Sequence, residues 1–386
     1  MKHSTVERIA GALAMIVVLA AAGCGAHQSS DPESVPTPDL EPPIQAAEPE
    51  SVDTAEADCE VTELEGNPNG EGTQISDNGE YVIGTMDGER VSGTQDVLWR
   101  HGELDRSPDK PTSQINSDGA SVGGAIDGTP QVYADGANRA LPLPDSIDET
   151  TLDGLGSDQY SVEATDINDR GDVLGTATHD EETTEPDATE PDFRTWEVPV
   201  LWPADSDEPV VLEVDDGMSA TTTGWAGDGR VVGAQGPPDD GTLTYWSPRI
   251  WNPDGTGETL PRMQLSSGEY VLPSDVSGDW VLSTDYVSGR GAAWRTSDPT
   301  DVRGQAEGFE TAAIDADGRV YGTVGREVVR QDGDRLDTLP LLDSDDPLGS
   351  VADVTPDGTM ATGYSFGDID PDADWLTDHA VTWNCQ

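Results

Sequence analysis

Basic charge is almost missing from this chain. Its 386 residues carry 19 Lys plus Arg against 77 Asp plus Glu, a formal net charge of −58. Beyond the first residues Lys110 is the sole lysine. This balance excludes sequence-independent binding to nucleic acid or to an anionic lipid surface, because both need a basic patch. It fits solubility in a saline or alkaline exterior, and it equally suits recruitment of cations or of a basic partner. Long apolar runs are also missing. After the first two dozen residues nothing approaches a membrane span or keeps a helical apolar period. Cysteine is confined to Cys24, Cys59 and Cys385. His27, His101, His179 and His379 are too far apart in sequence to form a spaced ligand pair. No metal-protease helix motif, nucleotide-binding glycine loop or paired-cysteine zinc motif occurs, so the activities built on them are excluded.

What the chain does contain is a repeat. Its unit runs small or apolar residue, Ile or Val, Asn/Asp/Ser, one or two turn residues, Gly, a short apolar run, Gly. Copies lie at 74–85 (QISDNGEYVIGT), 114–123 (QINSDGASVG), 166–176 (DINDRGDVLGT), 226–234 (AGDGRVVGA), 313–323 (AIDADGRVYGT) and 351–363 (VADVTPDGTMATG), with a degenerate one at 275–284 (DVSGDWVLST). The turn glycines Gly79, Gly119, Gly171, Gly229, Gly278, Gly318 and Gly358 recur every roughly 40 to 60 residues, the period of propeller blades. Asp-Gly, Asn-Gly and Arg-Gly pairs supply the positive φ of a tight hairpin. Most copies continue to an apolar residue and Trp: Leu98-Trp99, Leu201-Trp202, Ile250-Trp251, Ala293-Trp294 and Thr382-Trp383. The second and sixth have Val132-Tyr133 and Val328-Val329 there. A turn and another apolar stretch follow, at 140–143, 210–214 and 336–339.

Each unit therefore reads as four antiparallel strands, A to D, with too little apolar surface for a core of its own. Units of this kind are stable when neighbours bury each other's faces. The expected fold is all-β, a β-propeller of seven four-stranded blades with the strand-C tryptophans between blades. A pair of β-sandwiches or an open solenoid is the alternative. The unit resembles the bacterial extracellular family called HAF repeats, and residues 166–175 with Leu201-Trp202 are the nearest match. The resemblance spans nearly all of 59–386, is diffuse, and implies a secreted β-repeat protein without assigning catalytic residues.

The start of the chain gives an address. Residues 1–23 form a short basic region followed by an uncharged run, the layout of a secretory signal. They end in Ala21-Ala22-Gly23-Cys24, which resembles a bacterial lipobox. That resemblance implies lipidation of Cys24 and a protein anchored to the outer side of the cell membrane by acyl chains. Residues 24–58 are rich in proline and acid and hold no Lys, Arg or aromatic residue. They are expected to form a disordered tether. Residues 59–386 are the repeat domain. Cys59 and Cys385 lie at its two ends, and disulfides persist in exported proteins. The last unit stops after its strand C, while residues 59–64 look like a strand D with no unit before it. The N-terminal strand is thus expected to complete the last blade, with a Cys59–Cys385 disulfide locking the ring.

Chemical motifs are few. Residues 119–123 match the nucleophile-elbow spacing, but Ser121 takes a strand position filled by Val173, Val231 and Val320 in sister units. The Asp-rich turns lack the Glu that a helix–loop–helix calcium loop needs. No cofactor is expected, and structural calcium at the turns or in the central channel stays open. Aromatic residues also fall outside the repeat positions. Phe193 and Trp196, Tyr245 and Trp246, and Phe366 and Trp375 lie in long B-to-C insertions. These insertions share one face of a propeller, either as a binding surface or as local plugs. The function expected is a cell-surface binding or scaffold module for a protein or glycan partner. An envelope polysaccharide hydrolase or lyase using carboxylates is one alternative. A sensor or assembly subunit of a membrane complex is another.

Overall fold

In a computed structural model the described residues are 42–47, 49, 52–66, 70–87, 94–106, 113–123, 129–134, 137–144, 160–182, 193–238, 246–343, 347–366 and 378–386. They form strands and no helix, gathered into seven sheets. Each sheet holds one blade, and in the first six the blade's four strands follow one another outward in chain order. Blade one, for example, runs Gly70–Ile75, Tyr81–Asp87, Thr94–Arg100 and Glu103–Arg106. The innermost strands of the others are Gln114–Ile115, Tyr160–Ile167, Ser219–Trp225, Tyr270–Ser277, Phe309–Ile314 and Gly349–Val354. The chain is a seven-bladed β-propeller.

The seven turn glycines all have φ between 60° and 86°, a region a side chain disfavours. The second glycine of the repeat has a different cause. Strand A carries a register shift in most blades, as between Thr222 and Gly224. The shift pushes a strand-A carbonyl toward strand B. A Cβ on Gly233 would lie 2.0 Å from the Thr221 oxygen, and one on Gly175 would lie 2.1 Å from that of Glu163. Blade five lacks this glycine and has Ser283 opposite Pro273.

The strand-C tryptophans join blades as expected. Trp99, Trp251, Trp294 and Trp383 are fully buried, and Trp202 nearly so. Four of them donate Nε1–H to a carbonyl just past strand D of the preceding blade. Trp99 reaches Glu65 at 2.6 Å, Trp202 reaches Pro142 at 2.7 Å, Trp251 reaches Glu213 at 2.7 Å and Trp383 reaches Pro340 at 2.6 Å. Trp294 instead donates to Ser283 of its own blade at 2.9 Å. In blade six it is Gln331, not Val328 or Val329, that reaches back, accepting from the Ala306 amide at 2.9 Å. Strand D of blade two is Ala137–Ala140, earlier than the apolar stretch at 140–143. Leu141 is buried just after it.

The ring closes as the repeat implies. Blade seven is Gly349–Val354, Met360–Phe366, Asp378–Cys385 and, outermost, Cys59–Glu63. Cys59 stands opposite Cys385 and is bonded to it across 326 residues. The chain just before this strand departs from the expected tether. The described residues of 42–57 form a strap against blades five and six. Asp53–Glu56 adds a parallel fifth strand to Arg335–Thr338 of blade six. Ile44–Gln45 pairs with Met263–Gln264, and Ala47 bridges to Arg303 in blade five. Backbone amides at a sheet edge accept any extended chain without proline at the bonded positions. The small apolar residues Ile44, Ala46, Val52 and Ala57 pack onto the blade cores beneath.

Candidate functional site: the central channel and the B-to-C face

The innermost strands carry three successive positions of each unit beside the channel. The first belt, at the register shift in every blade but the second, is Gln74, Gln114, Asp166, Gly224, Asp275, Ala313 and Asp353. The next is aliphatic except at one point: Ile75, Ile115, Ile167, Trp225, Val276, Ile314 and Val354. The third is Ser76, Asn116, Asn168, Ala226, Ser277, Asp315 and Thr355, and it caps the A-to-B turns. Asn168 Oδ1 accepts from the Arg170 and Asp172 amides, each at 3.0 Å. Asp315 Oδ1 accepts likewise from Asp317 and Arg319, at 3.0 and 2.9 Å. That geometry explains the Asn/Asp/Ser of the repeat. Ala226 and Ser277 depart from it: alanine has no side-chain acceptor, and the Ser277 hydroxyl has no hydrogen-bond partner among the described residues.

The three aspartates of the first belt are tied to the backbone. Asp353 accepts from the Val354 amide at 2.8 Å and, across the ring closure, from Ile75 of blade one at 2.9 Å. Asp275 accepts from Val276 at 2.7 Å and from Ile314 of blade six at 2.8 Å. Asp166 accepts from Ile167 at 2.7 Å. No arginine or histidine pairs with any of the three among the described residues. Burial raises Asp166 to about 7, with the like charges of Asp77 and Asp275 adding to it. Burial raises Asp275 to about 6. Asp353 is pushed well above the usual carboxylate range, by burial first and then by Asp275. Asp77, at the mouth, is raised by burial and by Asp169.

Parts of these belts border a cavity of about 480 Å³ at the A-to-B end of the channel. Ser277, Trp225, Asp77, Asp166, Asp275 and Asp353 are among its lining residues. Among the described residues no three His, Cys, Asp or Glu side chains converge to hold a single metal ion. Ser121 is buried in the strand Ser121–Gly123 opposite Tyr133, and no helix occurs among the described residues.

The opposite end carries the B-to-C connections. There blade three is extended. Val173–Glu182 and Phe193–Trp202 pair over their whole length, while strand A starts only at Tyr160, opposite His179. Residues 180–182 and 193–195 therefore run on as a two-stranded ribbon. Phe193 and Trp196 lie on strand C of that hairpin, not in a loop. Trp246 is 8% exposed and lies against Gly236, in a cluster with Ala234 and Leu272 between blades four and five. Packing of this kind gives Trp246 a structural part. Phe366 ends strand B of blade seven and meets Tyr364 edge-on at 5.8 Å. Nearby Glu71 is raised to about 7 by burial and by Asp378. Tyr245, Trp375 and Cys24 lie outside the described residues. The channel aspartates, Ser277 and Trp225 escaped the sequence reading, although three clear copies of the repeat open on a polar residue, Gln74, Gln114 or Asp166, next to a strand Ile.

No family model and no curated protein matches this chain. Several solved structures are similar in shape. The β-propeller domain of the Trilobed protease from Pyrococcus furiosus is 14% identical, with 83% of this chain and 93% of that one covered and a TM-score of 0.47. YCF48 bound to D1 peptide is 9% identical, with 87% and 97% covered and a TM-score of 0.43. XC5397 from Xanthomonas campestris, a gluconolactonase, is 10% identical, with 90% and 98% covered and a TM-score of 0.39.

Proposed function

We propose that this protein is a cell-surface binding module of the HAF-repeat type. It is anchored through lipidated Cys24 and presents the B-to-C face of its propeller to a protein or glycan partner. The observation that carries the reading is the blade-three ribbon. The hairpin outruns its own sheet at 180–182 and 193–195, with Trp196 at the foot of the extension, and such an extension adds surface that blade packing does not require. Phe366 on blade seven lies on the same face. The lipobox-like start and the acidic segment 24–41 support display outside the cell.

The test is site-specific photocrosslinking in the native envelope. A benzophenone side chain replaces Trp196 or Phe366, and a control carries it at Leu104, exposed on the strand Glu103–Arg106. A discrete adduct from Trp196 or Phe366 and none from Leu104 is the expected result. Absence of adducts from the face positions, with anchoring intact, would retire the reading.

A further inference from the structure

The chain just ahead of the ring is fastened differently from the blades themselves. Its described residues meet blades five and six at two short ladders. Ile44 and Ala46 donate their amides to the Arg262 and Gln264 carbonyls, each at 2.9 Å. Ala47 donates to Val302 at 3.1 Å and accepts from the Gly304 amide at 2.8 Å. Asp53–Glu56 then lies parallel to Arg335–Thr338, bounded by the 2.9 Å bonds that the Asp53 and Ala57 amides donate. Side chains add little. All four residues of Asp53–Glu56 are exposed, and among the described residues of 42–57 Ala46 alone is buried. The hold is thus a few backbone bonds at two sheet edges with little apolar burial, the make-up of a segment that opens locally at low cost.

The fastening changes at one residue. Cys59 begins the strand that closes the ring, and its disulfide to Cys385 ties that strand to its neighbour. Tension applied ahead of residue 42 therefore meets the weak ladders first and the covalent bond next. The closing strand cannot be stripped from Asp378–Cys385 while that bond holds, because Cys59 stands at the end where stripping would begin. We infer that residues 42–57 are a releasable strap, which tension on the N-terminal chain peels from blades five and six without opening the propeller. Release lengthens the link by up to roughly 60 Å, the extended span of 42–58. It also leaves the edges Arg303–Gly304 and Arg335–Thr338 open, the form of surface that takes an extended chain by strand addition. Anchoring through Cys24, as proposed above, supplies the tension; the release itself is a property of the fold.

Optical tweezers test the release with the load applied directly, whatever anchors the protein in the cell. Handles are joined to the full chain at Glu41 and Gln386. With the disulfide intact, load passes from Cys59 to Cys385 and bypasses the blades. One short extension of at most roughly 60 Å is expected, reversing when the load is relaxed, with nothing after it. Moving the first handle to Asp58 should abolish it. In Cys59→Ser with Cys385→Ser the short event should come first and at lower load. An extension on the order of 1,000 Å should follow as the ring unravels. Absence of the short event from the parent, or its survival with the handle at Asp58, would overturn the inference. So would a single joint rupture of strap and ring in the double serine variant. The parent and the Asp58 control decide the matter even where that variant fails to fold.

Discussion

A single methyl group sets the limit at the second glycine of the repeat. At Gly233 a Cβ would sit 2.0 Å from the Thr221 carbonyl oxygen, so strands A and B of blade four would have to part. Gly233→Ala should cost about 2–4 kcal/mol, the range of an overpacked buried site with a broken ladder bond, as read by urea denaturation. The blade-linking tryptophans make a second residue-scale prediction. Trp251→Phe keeps most of the ring volume but leaves the Glu213 carbonyl without its 2.7 Å donor. The expected cost is about 1–3 kcal/mol. A loss below a few tenths would mean that water replaces the indole. Recurrence made both positions legible, because a residue repeated at one place in most units answers to the unit's geometry. The reason for the second glycine was not legible. It depends on a register shift in the neighbouring strand, and pattern alone does not show which carbonyl is displaced.

At the scale of elements, the strap shows what composition hides. Residues 42–57 read as tether because proline and acid dominate and no aromatic residue is present. Their hydrogen bonds come from the backbone, as in Asp53 N–H to Asp334 O and Ala57 N–H to Thr338 O, both 2.9 Å. Backbone pairing at an open edge needs no apolar run. Strand order, the four-strand unit and the joining of Cys59 to Cys385 were legible, since the last unit visibly lacked a strand that the N-terminus could supply. Replacing 42–57 with a Gly/Ser segment of equal length should leave the ring closed and uncover Arg335–Thr338. Hydrogen exchange should then accelerate at the amides of blade six while those of blade one stay protected. Uniform exchange, unchanged from the parent, would deny the strap a stabilising part. Removing the disulfide acts more broadly. Across 326 residues, Cys59→Ser with Cys385→Ser should destabilise by roughly 5 kcal/mol in the chain-entropy account, seen as a lower denaturant midpoint.

For the whole molecule the decisive quantity is where its negative charge sits. Asp166, Asp275 and Asp353 are far apart in sequence, and only closure of the ring makes them neighbours. The repeat could therefore show a polar residue beside a strand Ile without showing a shared cavity. Their surroundings give the pH response a definite sign. Asp166 has an ordinary value of 3.8 and stands at about 7 in the folded protein. Below pH 3.8 both folded and unfolded chains hold the proton, and its stabilising effect is complete. Between those two values the unfolded chain releases the proton while the folded chain keeps it, so stability falls as pH rises, by about 1.4 kcal/mol per unit for each such proton. Asp275, Asp353 and Glu71 are shifted the same way. The protein should therefore melt at a higher temperature near pH 5 than at pH 8. The net charge of −58 pushes in the same direction, because protonation relieves repulsion over the whole surface. The two contributions separate on substitution and on salt. Asp166→Asn should raise the melting temperature at pH 8 by several degrees and flatten the slope, whereas Asp205→Asn on the exposed rim should do neither. High salt should shrink the surface part and leave the channel part. A slope unaltered in Asp166→Asn and erased by salt would assign the whole pH response to the surface and leave the channel carboxylates ionised and hydrated.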